Sequence, residues 1–199
     1  MSATADTLIQ TLPWDNRRGT VSMVLFIVTE AMLFVALFFA YFYLGRGQPH
    51  WPMDAPPKLT LALAMLVVLV TSSVVLQWGE NVSRRGRERA ARAALGITIL
   101  LGLVFVGLQV LEYREHLRTL LPTTDAYGSM FYTITSIHGV HVMLGLLMLA
   151  YVLVLPKLEP TGKPPHRPLH NASLYWHFVD GAWVFIVVLW YVLPNIQRS

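Results

Sequence analysis

The stretch VSMVLFIVTEAMLFVALFFAYFYL, Val21 to Leu44, decides the fold of this chain. It is long enough to cross a bilayer as a helix, and its only residue that is charged in water at pH 7 is Glu30. A charged side chain at that depth costs about 3 kcal/mol on insertion scales, so such a residue normally faces protein or water and indicates function. The stretch therefore predicts a membrane-spanning helix with a functional carboxylate near its midplane.

Four further apolar runs have the same length and character, which predicts five spans: Leu59–Trp78, Ala93–Tyr113, Gly128–Leu155 and Ser173–Leu193 follow Val21–Leu44. The mean hydropathy of +0.52 agrees, as does a charged fraction of 13%, because soluble domains carry about 25% charged residues. The fold class is therefore all-α, a polytopic membrane bundle of five transmembrane helices. We expect one domain over residues 20–194, with an N-terminal segment 1–19 and a tail 195–199 outside it.

The composition also limits the chemistry. The chain has no cysteine, which excludes disulfides, thiolate-bound iron–sulfur clusters and a thiolate-bridged copper centre. Short loops leave no room for a soluble catalytic domain. The first 19 residues lack the features of a cleaved secretory signal, so we expect the first span to insert as a signal anchor.

Positive charges are distributed unequally between the two sides of the predicted bundle. The N-terminal segment and the loops after spans two and four hold ten of the 15 lysines and arginines. The opposite side holds the other five, which are Arg46, Lys58, Arg114, Arg118 and Arg198. The positive-inside rule therefore places the N-terminus in the cytoplasm and the C-terminus outside.

Two of the loops invite a functional interpretation. Gly79–Arg92, GENVSRRGRERAAR, contains five arginines and has the composition of a nucleic-acid patch. Because spans flank it, we interpret it as a topology signal at the anionic lipid surface. Pro156–Asn171 is rich in proline and contains His166 and His170, which predicts an extended, solvated connector.

Ionisable residues within the spans are the candidate functional groups. Helical rise places His138 and His141 of span four roughly 15 and 20 Å below the outer face. It places His177 and Asp180 of span five roughly 6 and 11 Å above the inner face. In a core about 30 Å thick, His141 and Asp180 reach similar depths, which predicts a contact between them. Glu30, near the midplane, is the functional carboxylate, and the other four form a predicted buried polar network.

Near the outer end of span three, Gln109 and Glu112 are expected at the membrane boundary, where water reaches them. We interpret Glu112 as a surface or inter-helix contact. Small residues on spans three and four predict close helix packing; they are Gly102, Gly107, Gly128, Gly139 and Gly145.

Three other classes of membrane protein are alternatives for a chain with these residues. A membrane di-metal enzyme could use the acids and histidines, since such sites occur inside helix bundles. Depth opposes it, because Glu112 lies too far outward to meet His177, and no Glu-x-x-His repeat is present. A haem-copper catalytic subunit would need about twice the three histidines that lie within the spans, and a channel or carrier would need a pore-lining charge ring or paired broken helices.

Four segments carry a resemblance to a known family. They are FIVTEAMLF (Phe26–Phe34), LQVLEYRE (Leu108–Glu115), YGSMFYTITSIHGVHVMLG (Tyr127–Gly145) and YWHFVDGAWVF (Tyr175–Phe185). Over roughly residues 14–194 the chain resembles subunit III of cytochrome c oxidase and related haem-copper terminal oxidases, with the segments in the family's order. The histidine segments are specific in combination, whereas the glutamate segment alone is weak.

The resemblance implies a non-catalytic accessory subunit of an aa3- or caa3-type oxidase, which stabilises subunit I and supports proton uptake during aerobic respiration. It implies no cofactor on this chain, haem and copper on partner subunits, and room for phospholipid. The implied partners are subunit I, subunit II, other small subunits and membrane lipid, without nucleic acid, in a prokaryotic cytoplasmic (inner) membrane. By resemblance, Glu30 matches a carbodiimide-reactive glutamate of the family, and His141, His177 and Asp180 match its polar positions on the last two helices.

The chain departs from the family at its N-terminal side. Many members have seven spans, and the first two, which form a lipid-holding cleft with the rest, have no counterpart here. Five-span members include quinol oxidase subunit III, a relative associated with nitric oxide reductase, and cytochrome c oxidases whose subunit I carries the extra helices. The sequence leaves these alternatives and the electron donor open. We hypothesise that Glu30 is neutral at pH 7 and has a structural or protective role.

Overall fold

Five long helices make up most of the part of the chain that the structure describes. The computed structural model describes residues 15–46, 48, 51, 59–116, 126–155 and 167–196. Its long helices are α1 Asp15–Gly45, α2 Leu59–Arg84, α3 Glu88–His116, α4 Ala126–Val154 and α5 Arg167–Val187. Helix α5 continues as a π-helix, Val188–Val192, and ends in the short helix α6, Leu193–Ile196. No strand occurs in the described residues.

Each of the five long helices is long and apolar enough to cross a membrane, which confirms the predicted all-α class with five spans. The helices extend past most of the predicted ends, because apolar length marks only the part of a helix that meets lipid. Residues 1–14, 156–166 and 197–199 lie outside the described residues, and with them most of the predicted terminal segments and of the proline-rich connector.

The two predicted loops are largely helical where the structure describes them. Gly79–Arg92 contains only a short turn at Arg85–Arg87 between α2 and α3. Gly86 closes this turn with a φ of 74°, a left-handed conformation that glycine adopts without steric cost. The last part of Pro156–Asn171 is also helical, since α5 begins at Arg167. The prediction of an extended connector is therefore wrong for residues 167–171.

The arrangement is a four-helix ring with one helix added. Helix α2 packs on α3, α3 on α4, α4 on α5, and α5 back on α2, whereas α1 packs against α4 and α5. Helix α5 is consequently the most buried of the five and α1 the least. The outer face of α1 is lined by large apolar side chains such as Met32 and Phe39, which are 65% and 70% exposed.

Trp176 fills the centre of the ring. Its fully buried indole lies so close to Gly102 of α3 and Gly145 of α4 that a Cβ on either glycine would come within 2.8 Å of it. The indole N–H donates to Ser72 of α2 over 2.9 Å. One side chain of α5 therefore contacts the other three helices of the ring, and two of the predicted small-residue positions make this possible. At Gly107, by contrast, an added Cβ would meet nothing within 4 Å.

Candidate functional site

Glu30 pairs with His141 across the α1–α4 contact. The Oε2 atom of Glu30 lies 2.9 Å from Nε2 of His141. The histidine side chain is 9% exposed and the glutamate side chain 25% exposed, so the pair lies just inside the surface of the bundle. The ring of Phe34 packs edge-on against the imidazole with centroids 5.0 Å apart. The structure thus places the intramembrane acid against protein, as the sequence indicated.

The backbone fixes a proton on Nδ1 of His141. Its Nδ1 lies 2.7 Å from the carbonyl oxygen of Ile137, and a carbonyl only accepts, so Nδ1 carries a proton. A neutral imidazole then has Nε2 as an acceptor, which requires Glu30 to be protonated and to donate. A cationic imidazole instead donates to an ionised Glu30. In both states one proton is shared between the two side chains, and the pair has no net charge.

The predicted contact between His141 and Asp180 is absent, and both residues have other partners. Asp180 accepts a hydrogen bond from Ser73 of α2. The Ser73 Oγ also lies 2.8 Å from Nδ1 of His177, whose Nε2 lies 3.3 Å from Ser173 Oγ. Similar depth was not enough for contact, because Asp180 faces α2 whereas His141 faces α1. His177 and Asp180 are linked through a serine that the sequence analysis did not single out.

Glu80 and His170 extend this second cluster, although the sequence analysis assigned both to loops. The Glu80 side chain is 4% exposed and accepts hydrogen bonds from Arg84 and from Nδ1 of His170, the latter over 2.9 Å. The Ser173 hydroxyl lies near the same carboxyl. The spacing of His170, Ser173, His177 and Asp180 at i, i+3, i+7 and i+10 is the signal that could have found the cluster, since it places them on one helix face.

His138 belongs to neither cluster. It is fully buried, and its ring stacks on Trp183 with centroids 5.0 Å apart and packs edge-on against Phe105. Neither ring nitrogen has a hydrogen-bond partner among the residues that the structure describes. Three residues along a helix rotate a side chain by about 60° from its starting face, which turns His138 toward α3 and α5. The predicted four-residue network of His138, His141, His177 and Asp180 is therefore divided among three places.

Gln109 and Glu112 are buried, which corrects the prediction that water reaches them. Gln109 is 7% exposed and donates to the carbonyl of Thr135 on α4 over 3.1 Å. Glu112 is fully buried and accepts a hydrogen bond from the hydroxyl of Tyr191. Tyr191 lies in the π-helix that ends α5. Both residues thus join helices, as the inter-helix interpretation of Glu112 proposed.

The two-metal hypothesis finds no matching geometry. Its acids and histidines lie in separate clusters, and the described residues contain no group of three or more His, Cys, Asp or Glu side chains with a geometry that could hold a metal ion. What the arrangement can do chemically is to share and move protons, within the Glu30–His141 pair and along the Asp180–Glu80 cluster.

A groove on the outer surface lies between α1 and α5. It has a volume of about 350 Å³ and is lined only by apolar side chains and glycine: Ala31, Phe34, Val35, Phe38, Phe178, Gly181, Ala182 and Phe185. Phe34 and Phe178 also contact the ring of His141. The groove therefore ends beside the Glu30–His141 pair.

Known proteins match nearly the whole chain. The family model described as cytochrome c oxidase subunit III matches residues 16–194. A protein named cytochrome c oxidase subunit 3 from Synechocystis sp. is 36% identical over 175 residues, which is 86% of this chain and 74% of that protein. Proteins of the same name from Branchiostoma lanceolatum and Prototheca wickerhamii are 36% and 32% identical over 88% and 85% of this chain, and the matches cover 68% and 67% of those proteins.

Proposed function

Because the chain belongs to the cytochrome c oxidase subunit III family, we propose that it stabilises the catalytic subunit of its oxidase and supports proton uptake by that subunit. It is an accessory subunit of a haem-copper oxidase, a multi-pass membrane component of a multi-subunit oxidoreductase. The observation that carries this conclusion is the family match over residues 16–194, which includes every polar cluster described above.

The family match and the helix surfaces support the proposed partners. Subunit I is the principal partner, with subunit II and smaller subunits around it, and these partners hold the haem and copper. The large apolar side chains on the outer face of α1 support docking between membrane helices, since such faces pack against lipid or other helices and not against water. The proposed location is a prokaryotic cytoplasmic membrane.

The proposed orientation has the N-terminus in the cytoplasm and the C-terminus outside. Its support is the excess of arginine at the α2–α3 turn, where Arg85, Arg87 and Arg89 are exposed. Positive residues in short loops favour the cytoplasmic side. Helix α2 ends and α5 begins at this side, so Glu80 and His170 would lie at the cytoplasmic end of the bundle.

Phospholipid is the one ligand proposed for this chain itself. The groove between α1 and α5 offers an acyl chain an apolar lining of several aromatic rings, and it opens on a surface that faces the membrane. The Glu30–His141 pair beside it would have a structural or protective role, holding α1 to α4 while carrying no net charge into the lipid.

Purification from the native membrane in mild detergent, followed by a reduced-minus-oxidised optical spectrum, tests the assignment. Haem a bands with a copper-containing partner at near-stoichiometric levels are expected. Haem o or b bands without the copper-containing partner would move the assignment to a quinol oxidase. The absence of any haem would overturn the assignment. Phosphorus analysis of the same preparation should find bound phospholipid, and a lipid-free active complex would contradict the proposed ligand.

A further inference from the structure

A line of polar side chains runs into the bundle between α2 and α5, and none of the roles proposed above uses it. We call it the polar line; its members are His170, Ser173, His177 and Asp180 of α5 with Ser73 and Glu80 of α2. The ten residues from His170 to Asp180 correspond to about 15 Å of helix. This is about half of the hydrocarbon thickness of a bilayer, so the line reaches the middle of the membrane from one side.

One end of the polar line is open to water. The side chains of His170 and Arg84 are 35% and 53% exposed, and both bind Oε1 of Glu80. Glu80 and Ser173 are almost completely buried. Water therefore meets the line at the rim formed by His170 and Arg84, beside the α2–α3 turn.

The other end is closed. Asp180 is 8% exposed, and its Oδ1 has no hydrogen-bond partner within the described residues. Titratable residues also face α5 from the other two helices packed on it. Glu30 of α1 and His141 of α4 bind each other, His138 of α4 stacks on Trp183, and Tyr41 of α1 donates to the carbonyl of Leu189. Among the described side chains, none continues the line beyond Asp180.

The hydrogen bonds from Ser173 to Asp180 form a directed chain, because each serine hydroxyl carries one proton. With Asp180 ionised, Ser73 donates to Asp180, Nδ1–H of His177 donates to Ser73, and Ser173 donates to Nε2 of His177. With Asp180 protonated, each of these bonds reverses, and the Ser173 hydroxyl points its proton toward the nearby carboxylate of Glu80. The same side chains satisfy both patterns without moving.

We infer that the polar line loads and unloads a proton at Asp180, which exchanges it with the aqueous phase at the rim and stores it inside the bundle. In loading, a proton from water reaches Glu80 and passes to Ser173, which gives its own proton to Nε2 of His177. Nδ1 of His177 gives its proton to Ser73, which gives its own to Asp180. One proton enters, Asp180 becomes neutral, and every other group returns to its former charge.

Because one end is closed, this path resets itself after each cycle, which a path that carries protons across the whole membrane does not do. After one proton has passed, every hydrogen bond points the opposite way, and a through-path must then rotate its hydroxyls and imidazole before the next transfer. In the polar line, unloading runs the same steps backwards and restores the first pattern. Loading works in the same way in either orientation of the bundle; the proposed orientation places the rim on the cytoplasmic side.

Infrared spectroscopy of the purified complex after a pH jump tests the inference. The carboxyl C=O band that Asp180→Asn removes should appear as the wild-type protein is acidified. In Ser73→Ala this band should rise roughly 10²-fold more slowly, since a positioned proton carrier contributes at least that factor. Ser73→Thr keeps the hydroxyl and should restore most of the rate.

Ser72→Ala is the matched control. Ser72 is also a buried serine of α2 and accepts a hydrogen bond from Trp176, but it is not a member of the polar line. Its variant should load Asp180 at the wild-type rate. Loading at the wild-type rate in Ser73→Ala, equal slowing in Ser72→Ala, or the absence of any band lost in Asp180→Asn would each overturn the inference. If the Ser73→Ala complex does not assemble, Ser173→Ala serves instead, because it interrupts the polar line on the other side of His177. The Asp180 band should rise more slowly in this variant as well, and a wild-type rate would overturn the inference.

Discussion

Glu30 and His141 illustrate how a single backbone carbonyl can decide the chemistry of an intramembrane acid. Because Ile137 O requires a proton on Nδ1 of His141, a glutamate facing Nε2 can either donate its own proton or accept one from a cation. An ionised glutamate beside a neutral imidazole would bring two acceptors together at 2.9 Å. The pair therefore keeps its net charge at zero, which matches the low polarity of its surroundings.

This pairing leads to a prediction for Glu30→Gln. The amide can donate to Nε2 of His141 from the position of the carboxyl, so we expect the initial turnover of the oxidase to remain nearly unchanged, as for a structural or protective residue. Glu30→Leu leaves Nε2 without a partner and should destabilise the complex by about 1–3 kcal/mol. Turnover assays and thermal denaturation of the purified complex measure both effects. An immediate loss of most turnover in Glu30→Gln would contradict a non-pumping role.

The sequence identifies the polar residues within the spans, but it does not identify the side chains to which they hydrogen-bond. Glu30, His177 and Asp180 stand out because ionisable groups are costly in an apolar run. Their partners depend on the rotation of each helix about its axis, and a count of residues along one helix gives depth but not the direction in which a side chain points. For this reason Asp180 was matched to His141 although its partner is Ser73.

Among the helices, α5 holds the ring together through Trp176. Its indole requires glycine at two positions, one on α3 and one on α4, so the spacing of these helices is set by the thickness of an aromatic ring. The glycines of α3 and α4 predict that these two helices pack closely. The sequence did not predict that the group between the helices is a side chain from a third helix.

The packing predicts opposite results for two glycine substitutions on α3. In Gly102→Ala the new methyl group would lie 2.7 Å from Leu146 and 2.8 Å from Trp176, and overpacking of this kind costs about 1–3 kcal/mol. Gly107→Ala meets nothing within 4 Å and should be neutral or stabilising by up to about 1 kcal/mol, because alanine favours the helix. Denaturation midpoints in the same detergent compare the two. Equal midpoints would show that Trp176 adjusts without cost.

The number of helices was predictable because bilayer thickness sets a minimum apolar length. Their ends were not, since α2 continues through Gly79 and Glu80 to Arg84, and α5 begins at Arg167. Polar residues at these ends remain helical where they find partners, as Glu80 does with Arg84 and His170. The open end of the polar line lies in these extensions, which is why sequence reasoning missed it.

For the whole molecule, the proposed orientation predicts which side of the membrane each turn occupies. The chain has no cysteine, so a single cysteine substitution introduces its only thiol, and labelling of the chain reports the position of that residue. Gln48 after α1 and Arg87 in the α2–α3 turn are both exposed. In intact cells a membrane-impermeant maleimide should label Gln48→Cys but not Arg87→Cys, and permeabilised cells should show both. The reverse pattern would place the N-terminus outside.

The four-helix ring and its added helix also give the molecule two unequal halves. Helices α2 to α5 are joined around Trp176 and by the polar line, whereas α1 is attached through the Glu30–His141 pair and aromatic contacts with α4 and α5. We expect α1 to depend most on the surrounding oxidase for its position, because most of its side chains face outward.

The π-helix at the end of α5 gives the last span two angular settings. In Val188–Val192 the backbone N–H of Leu193 reaches back five residues to the carbonyl of Val188, so the chain holds one residue more than regular periodicity allows and all later side chains are offset around the axis. Before the π-helix, α5 presents Trp176, His177 and Asp180 to the ring; within the π-helix, Trp190 packs on Tyr41 and Tyr191 donates to Glu112. The extra residue of the π-helix thus rotates the side chains that follow it about the helix axis. A single continuous helix can therefore pack against one set of neighbours near one membrane face and against another set near the opposite face.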